Sequence, residues 1–285
     1  MAAVAVAAVS ATVFIRDDRP GSGSFRVSAT VNVGAGPTGV AVDPEARTVY
    51  VTNHDDNTVS VIDAAGDAST PTVSATVDVG AAPTGVAVDP EARTVYVTNH
   101  DDNTVSVIDA AGDASTPTVS ATVDVGAAPT GVAVDPETHT VYVTNHNDNT
   151  VSAIDTSARA VTAVVDVGAN RNPLDVAVDP GSRRIYVTDG VDLRMSVIDA
   201  ATNMVSTIVD IGSYGARVAV DPGTHTVYVA SQGDVSVDVM DGVTLAVTAI
   251  VDIGRTSRGV AVDPGSHTVF VANGEDNTVT VIATR

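Results

Sequence analysis

The sequence repeats itself at a nearly fixed interval, and this repeat constrains the fold more than any other feature. The stretch TVYVTNHDDNTVSVID at residues 48–63 recurs letter for letter at 94–109, and a near copy occupies 140–155. The dipeptide Asp-Pro marks six units, at residues 43–44, 89–90, 135–136, 179–180, 221–222 and 263–264. A repeat of this length indicates an architecture in which each unit is one supersecondary element that stacks on the next.

Each unit has the pattern of four short strands. In the first unit, the apolar run 39–42 ends at Asp43-Pro44, a pair that suits the first positions of a type I turn. Residues 48–52, 58–63 and 73–79 alternate and are rich in β-branched side chains, which is typical of strands. No segment has helical periodicity. Four antiparallel strands per unit predict the blade of an all-β propeller, a ring in which each blade covers the next.

The two ends of the repeat array predict how the ring closes. The sixth unit stops after its third strand, residues 278–283, and Phe25–Val33 matches the missing fourth strand. We therefore expect six blades, with the N-terminal strand completing the last blade and leaving no open edge. The alternative is a seven-bladed ring with a degenerate N-terminal blade, because residues 4–6 and 10–15 align without gaps with 260–262 and 266–271.

This interpretation assigns residues 25–285 to one propeller domain and leaves residues 1–24 as a separate segment. Residues 1–15 are an Ala/Val-rich apolar run, followed by charged residues and a Gly/Ser linker. Such a run is typical of an apolar leader or a truncated membrane anchor, although a helix that spans a bilayer needs about 20 residues. An extra pair of strands is the other interpretation of this segment.

Composition and charge exclude several classes of function. The chain has no Cys, which removes disulfides and thiolate chemistry, and its formal net charge is −21. Because such an acidic surface repels phosphate backbones, we expect no nucleic-acid partner. The sequence has no nucleophile elbow, phosphate loop or metalloprotease motif, so we predict no catalytic residue and no cofactor.

The repeated motif carries a family resemblance. Tyr-Val-Thr-Asn at residues 50–53, 96–99 and 142–145 resembles the signature of the YVTN β-propeller repeats, with looser versions at 186–189, 228–231 and 270–273. That family includes surface-layer proteins and exported propellers. The resemblance implies an extracytoplasmic protein, secreted or at the cell surface. The apolar run at residues 1–15 would supply a membrane tether, and we expect a monomer. We expect a non-enzymatic binding or scaffold role, with protein partners or a small anionic ligand at the top face. The alternative is a propeller enzyme, a lyase or lactone hydrolase, with its site at the mouth of the axial channel.

Departures from the repeat predict where a ligand would bind. The connections that enter units 4 to 6 replace a bland Gly-Ala-Ala-Pro-Thr-Gly loop. The predicted ligand-binding residues are Arg171, Tyr214, Arg217, Arg255 and Arg258. The predicted topology places these loops around the channel mouth, where an arc of arginines would suit a carboxylate or phosphate. The competing interpretation is that these arginines pair with neighbouring acids on a solvated surface.

The turn NHDDN is a weak candidate for a metal site. Its potential ligands are His54, Asp55, His100, Asp101 and His146. They belong to different units and lack the spacing of a calcium loop, so we favour a polar turn with local backbone hydrogen bonds. The turns after Asp-Pro carry His139, His225 and His267, which we interpret as variable surface positions.

Overall fold

The structure is a computed structural model, and it describes residues 4–5, 11–15, 27–64, 71–111, 117–211, 217–231, 235–254, 256–273 and 278–283. Side chains are described from residue 30 onward. Every regular element in these ranges is a β-strand, which confirms the all-β prediction. No helix in the described ranges has the length and apolar character needed to cross a membrane.

The six repeats form six antiparallel sheets, as predicted, with strands in chain order from the channel to the rim. Repeat sheet 1 contains β4 (Pro37–Asp43), β5 (Thr48–Asn53), β6 (Thr58–Asp63) and β7 (Thr72–Asp78). Repeat sheet 2 contains β8 (Pro83–Asp89), β9 (Thr94–Asn99), β10 (Thr104–Asp109) and β11 (Thr118–Asp124). Repeat sheet 3 contains β12 (Pro129–Asp135), β13 (Thr140–Asn145), β14 (Thr150–Asp155) and β15 (Ala160–Asp166).

The second half of the array continues the same pattern. Repeat sheet 4 contains β16 (Pro173–Asp179), β17 (Arg184–Asp189), β18 (Arg194–Asp199) and β19 (Met204–Asp210). Repeat sheet 5 contains β20 (Arg217–Asp221), β21 (Thr226–Ala230), β22 (Ser236–Asp241) and β23 (Val247–Asp252). Repeat sheet 6 contains β24 (Ser257–Asp263), β25 (Thr268–Asn273) and β26 (Thr278–Ala283). The predicted four-stranded antiparallel blade is thus confirmed in five complete sheets.

The N-terminal strands form a sheet of their own, so the predicted closure of the last blade by Phe25–Val33 is wrong. The strands β1 (Val4–Ala5), β2 (Ala11–Ile15) and β3 (Val27–Val31) pair in that order. The register of β2 with β3 has a bulge after Val13, just as the third and fourth strands of repeat sheet 1 have one after Val61. The segment does act as an outermost strand, but its partner is β2, which is far closer along the chain than β26 and therefore costs less loop entropy.

The N-terminal sheet follows the seven-bladed alternative only in part. Its register makes β1, β2 and β3 equivalent to the second, third and fourth strands of a blade, whereas the sequence alignment placed residues 4–6 and 10–15 as the first and second. Val31 packs against Val49, Val51 and Ile62 of repeat sheet 1. The leader or anchor role of residues 1–24 remains a prediction, although residues 4–5 and 11–15 are strands.

Neighbouring repeat sheets are held together by an apolar layer built from the repeated motif. Tyr50, Val59 and Val61 of one sheet pack against Val95, Val97 and Ile108 of the next. The motif tyrosine is buried in all five sheets that have it, at Tyr50, Tyr96, Tyr142, Tyr186 and Tyr228. Burial raises the pKa of Tyr96 and Tyr142 to about 12, so these phenols stay neutral. Each sheet therefore buries a face that it could not bury alone.

The Thr and Asn of the motif add hydrogen bonds inside this layer. The Thr52 hydroxyl accepts the Gly39 N–H at 2.7 Å and donates to the Thr84 carbonyl of repeat sheet 2 at 2.9 Å. Thr98 bonds Gly85 and Thr130 in the same way. Asn53 instead stays within its sheet, where its amide donates to Thr58 and Ser60, both at 2.9 Å. The motif is thus a structural device that fixes the spacing of the first strands.

Thr98→Val tests the bond between sheets. Valine keeps the shape but removes the hydroxyl that joins the half-buried Gly85 N–H to the Thr130 carbonyl, so we expect a loss of about 1–2 kcal/mol in the free energy of unfolding. Urea denaturation followed by circular dichroism measures the change. Thr122→Val, on the exposed rim of repeat sheet 2, is the matched control and should cost less than about 0.5 kcal/mol. Equal losses for the two variants would contradict the assigned role of Thr98.

Candidate functional site

The first strands of the repeat sheets enclose an axial channel with a cavity of about 400 Å³. Its wall is formed mainly by residues near the start of each first strand, which lie toward the face predicted to be the top. Repeat sheet 6 also contributes Phe270, Ala272 and Val279 from its second and third strands. Pockets of this size commonly hold small molecules. The channel is therefore the candidate ligand site, and the residues of its wall that differ between the repeats are the candidate ligand-binding residues.

Repeat sheets 1 to 3 contribute a uniform part of the wall, formed by Thr-Gly-Val at 38–40, 84–86 and 130–132. Glycine is required there because neighbouring first strands approach closely. A Cβ on Gly39 or Gly85 would overlap the carbonyl oxygen of the next strand, at Thr84 or Thr130. At these two positions no other residue fits without moving the backbone.

Repeat sheets 4 to 6 break this uniformity with charged side chains. By strand register, Asp175 of β16 and Arg217 of β20 occupy the position of Gly39, and Arg258 of β24 that of Thr38. All three line the channel. Since they come from three consecutive first strands, the charges gather on one side of the wall.

Asp175 is held in place by the main chain of two sheets. One carboxylate oxygen accepts the Val176 N–H at 3.0 Å, and the other accepts the Val218 N–H of repeat sheet 5 at 3.1 Å. Burial raises the pKa of Asp175, and the nearby Arg217 guanidinium and the two N–H donors oppose this shift without cancelling it. A carboxyl group on a channel wall that binds its proton more tightly than usual can donate a hydrogen bond or act as a base.

Of the predicted arginine arc, Arg217 and Arg258 line the channel and Arg171 does not. The Arg171 guanidinium donates to Asp189 at 3.0 Å and to Asp192 at 3.4 Å, and its side chain is only 12% exposed. This is the competing interpretation, an arginine paired with neighbouring acids, and it applies to Arg171. Tyr214 and Arg255 lie outside the described residues.

Each histidine among the candidate metal ligands contacts the residue that follows it in its turn, and His146 also lies 3.5 Å from the Asn172 amide of the next connection. His54 lies 2.9 Å from Asp55, His100 lies 2.7 Å from Asp101, and His146 lies 3.1 Å from Asn147. Among the described residues, no three His, Asp or Glu side chains come together in a way that could hold a metal ion. Other acids of these turns bind the backbone. Asp56 and Asp102 each accept a loop N–H at 2.7 Å, from Ala35 and Ala81.

Sequence reasoning missed Asp175, and it misread two histidines. Asp175 interrupts the Thr-Gly-Val pattern, a signal that was present in the sequence.

His225 and His267 are not simply variable surface positions. Their ring nitrogens lie 2.8 and 2.6 Å from the fully buried carboxylates of Asp179 and Asp221 in the preceding sheets. These pairs join neighbouring sheets at the end of the channel opposite the charged residues.

The strand order and the channel define the class of this protein as a β-propeller with a central cavity. Residues 12–148 and 72–173 match the family described as lactonase, 7-bladed beta-propeller. The two matches together run from residue 12 to residue 173, which is more than half of the 285 residues. The chain therefore belongs to this lactonase family of β-propellers.

Solved structures share the fold. A chain of hydrazine synthase from Kuenenia stuttgartiensis aligns over 94% of this chain and 99% of its own length, with a TM-score of 0.64 and 18% identity. At this identity the likeness concerns the fold alone. No match is found among curated proteins.

The raised pKa of Asp189 predicts that the stability of the protein depends on pH. The Asp189 side chain is fully buried, and burial raises its pKa from 3.8 to about 6, although Arg171 opposes the shift. Because the folded carboxyl binds its proton more tightly than the unfolded one, its contribution to stability is present below pH 3.8 and is lost as the pH rises through about 6.

We expect wild type to lose up to about 3 kcal/mol in free energy of unfolding relative to Asp189→Asn as the pH rises across this window. Urea denaturation of both proteins at a series of pH values gives the difference. Asp210→Asn, which removes an exposed rim carboxyl 3.2 Å from Arg194, serves as control. A difference between wild type and Asp189→Asn that stays constant with pH would refute the predicted shift.

Proposed function

We propose that this protein binds a small carboxylate-bearing molecule in its axial channel. The observation that carries the proposal is the placement of Arg217 and Arg258 on the channel wall at positions where the repeat has Gly and Thr. Arginine presents a planar set of N–H donors that matches a carboxylate. In a chain with a net charge of −21, a pair of cations directed at one cavity favours an anion there over the surrounding surface.

The lack of a nearby carboxylate partner for the two channel arginines, within the part of the chain that the structure describes, supports the same conclusion. Among the described residues, neither Arg217 nor Arg258 has a carboxylate within 4.0 Å, whereas Arg171 and Arg194 do. Asp175 interacts with Arg217 through its charge, and its two carboxylate oxygens already accept the Val176 and Val218 N–H groups. These two guanidinium groups therefore have hydrogen-bonding capacity to offer a ligand.

Binding to the top face of an exported, surface-located propeller remains part of this proposal. It is supported by the resemblance of the motif to YVTN-repeat propellers. A scaffold role for protein partners would use the same face.

Replacing the channel arginines tests the proposal. We expect Arg217→Leu and Arg258→Leu each to weaken binding of short carboxylates about tenfold or more, because each removes a charged hydrogen bond. Isothermal titration calorimetry with a series of four- to eight-carbon carboxylates, hydroxylated and not, gives the affinities. Arg194→Leu removes a rim arginine and is the control. An affinity that survives both channel substitutions would refute the site.

Hydrolysis of a cyclic ester is a second candidate function, favoured by the family match and by Asp175 on the channel wall. In this reaction Asp175 would take a proton from water as the water attacks the lactone carbonyl. The ring C–O bond would break, and the proton would pass to the leaving alkoxide, giving a hydroxy acid. Arg217 and Arg258 would stabilise the oxyanion and then the product carboxylate.

Asp175→Asn separates this candidate from simple binding. The amide has one acceptor oxygen, so it can keep the bond from the Val218 N–H and loses the one from the Val176 N–H. We therefore expect some loss of stability with the fold and the carboxylate affinity retained, while any hydrolysis should fall by a factor of about a hundred or more. Titration of the acid released from δ-hexanolactone measures the rate. Wild-type protein that releases no acid above the uncatalysed rate would exclude hydrolysis of this class of substrate and leave the binding proposal standing.

A further inference from the structure

We infer that the channel selects a carboxylate with an aliphatic body over a polyhydroxylated acid. This inference rests on the proposed function, since it concerns the ligand of the same cavity. The observation that supports it is the uncharged part of the channel wall, formed mainly by threonine, valine and alanine.

The threonines of repeat sheets 1 to 3 already use their hydroxyl protons. Thr38 donates to the Pro83 carbonyl at 3.0 Å, and Thr130 donates to the Leu174 carbonyl at 2.8 Å. Thr84 lies 2.9 Å from the Thr98 hydroxyl and 3.2 Å from the Pro129 carbonyl. These bonds join each first strand to the next, so donating to a ligand would mean giving up a contact between sheets.

The remaining wall of these sheets is apolar. Val40, Val86 and Val132 line the cavity beside the threonines, and repeat sheet 6 adds Val260, Ala272 and Val279. A ligand hydroxyl placed against this surface would lose its water without gaining a partner, whereas a methylene group would gain from leaving water. Most of the wall therefore favours hydrocarbon.

The charged side chains of the wall are concentrated at one place. Asp175 and Arg217 stand on the adjacent strands β16 and β20, and Arg258 follows on β24. A ligand held there would place one polar group against these side chains and the rest of its surface against valine, alanine and threonine methyl groups. A single carboxylate on a short aliphatic chain meets both conditions, and a sugar acid meets only the first.

Hexanoate and gluconate form a matched pair for the test, because each has six carbons and one carboxylate and they differ in five hydroxyl groups. Isothermal titration calorimetry with the full chain should give hexanoate an affinity at least about tenfold higher than gluconate. Gluconate binding as tightly as hexanoate, or more tightly, would overturn this inference and leave the proposed function intact. Binding of neither compound would overturn both.

A substitution on the apolar wall links the preference to the channel. Val86→Thr adds a hydroxyl at nearly constant shape, and it should reduce the ratio of the hexanoate and gluconate affinities at least about threefold. Val132→Thr is the equivalent change in the next sheet and serves if the first variant does not fold. Val119→Thr, on the rim of repeat sheet 2, should leave the ratio unchanged. If neither Val86→Thr nor Val132→Thr alters the ratio of the hexanoate and gluconate affinities, the apolar wall does not determine the preference.

Discussion

The hydrogen bond from the motif threonine to the next sheet is the interaction on which the rest of the structure depends. Thr52, Thr98 and Thr144 are fully buried, and each accepts an N–H of its own first strand. Thr52 and Thr98 then donate to a carbonyl of the following first strand at 2.9 and 2.8 Å. Glycine at the facing position allows this approach. The sheets are thus joined both by their apolar faces and, at the channel wall, by threonine hydroxyls that donate to main-chain carbonyls of the next sheet.

The candidate site arises where this arrangement changes. Between repeat sheets 4 and 5 the link is made by Asp175, whose carboxylate accepts the Val218 N–H. The side chain that replaces glycine therefore carries a structural bond and a titratable group together. Repeat sheets 5 and 6 have Ala230 and Ala272 in place of the motif threonine. Freed from the repeated bond, their first strands can carry Arg217 and Arg258 into the channel. Repeat sheets 1 to 3 thus carry the repeated hydrogen bonds between sheets, and repeat sheets 4 to 6 carry the charged side chains of the channel.

The period, the strand pattern and the turn residues were sufficient to predict the blades, because each of these signals is local and occurs six times. The NHDDN turn was expected to make local backbone hydrogen bonds, whereas Asp56 and Asn57 accept N–H groups of Ala35 and Ala82, which lie 21 and 25 residues away along the chain. Pairing between distant segments was harder. Phe25–Val33 has the pattern of a fourth strand, but pattern alone does not distinguish β2 from β26 as its neighbour. The arginines were found by their departure from the repeat, yet only packing reveals that Arg171 turns toward Asp189 while Arg217 faces the cavity.

The most direct test of the account is a crystal structure of the full chain grown with 6-bromohexanoate, with the bromine located by its anomalous scattering. We expect carboxylate density at Arg217 or Arg258 and a bromine peak beside the valines of repeat sheets 1 to 3. A bromine peak on the outer rim, where Ile208 and Ile250 are exposed, with an empty channel would contradict it.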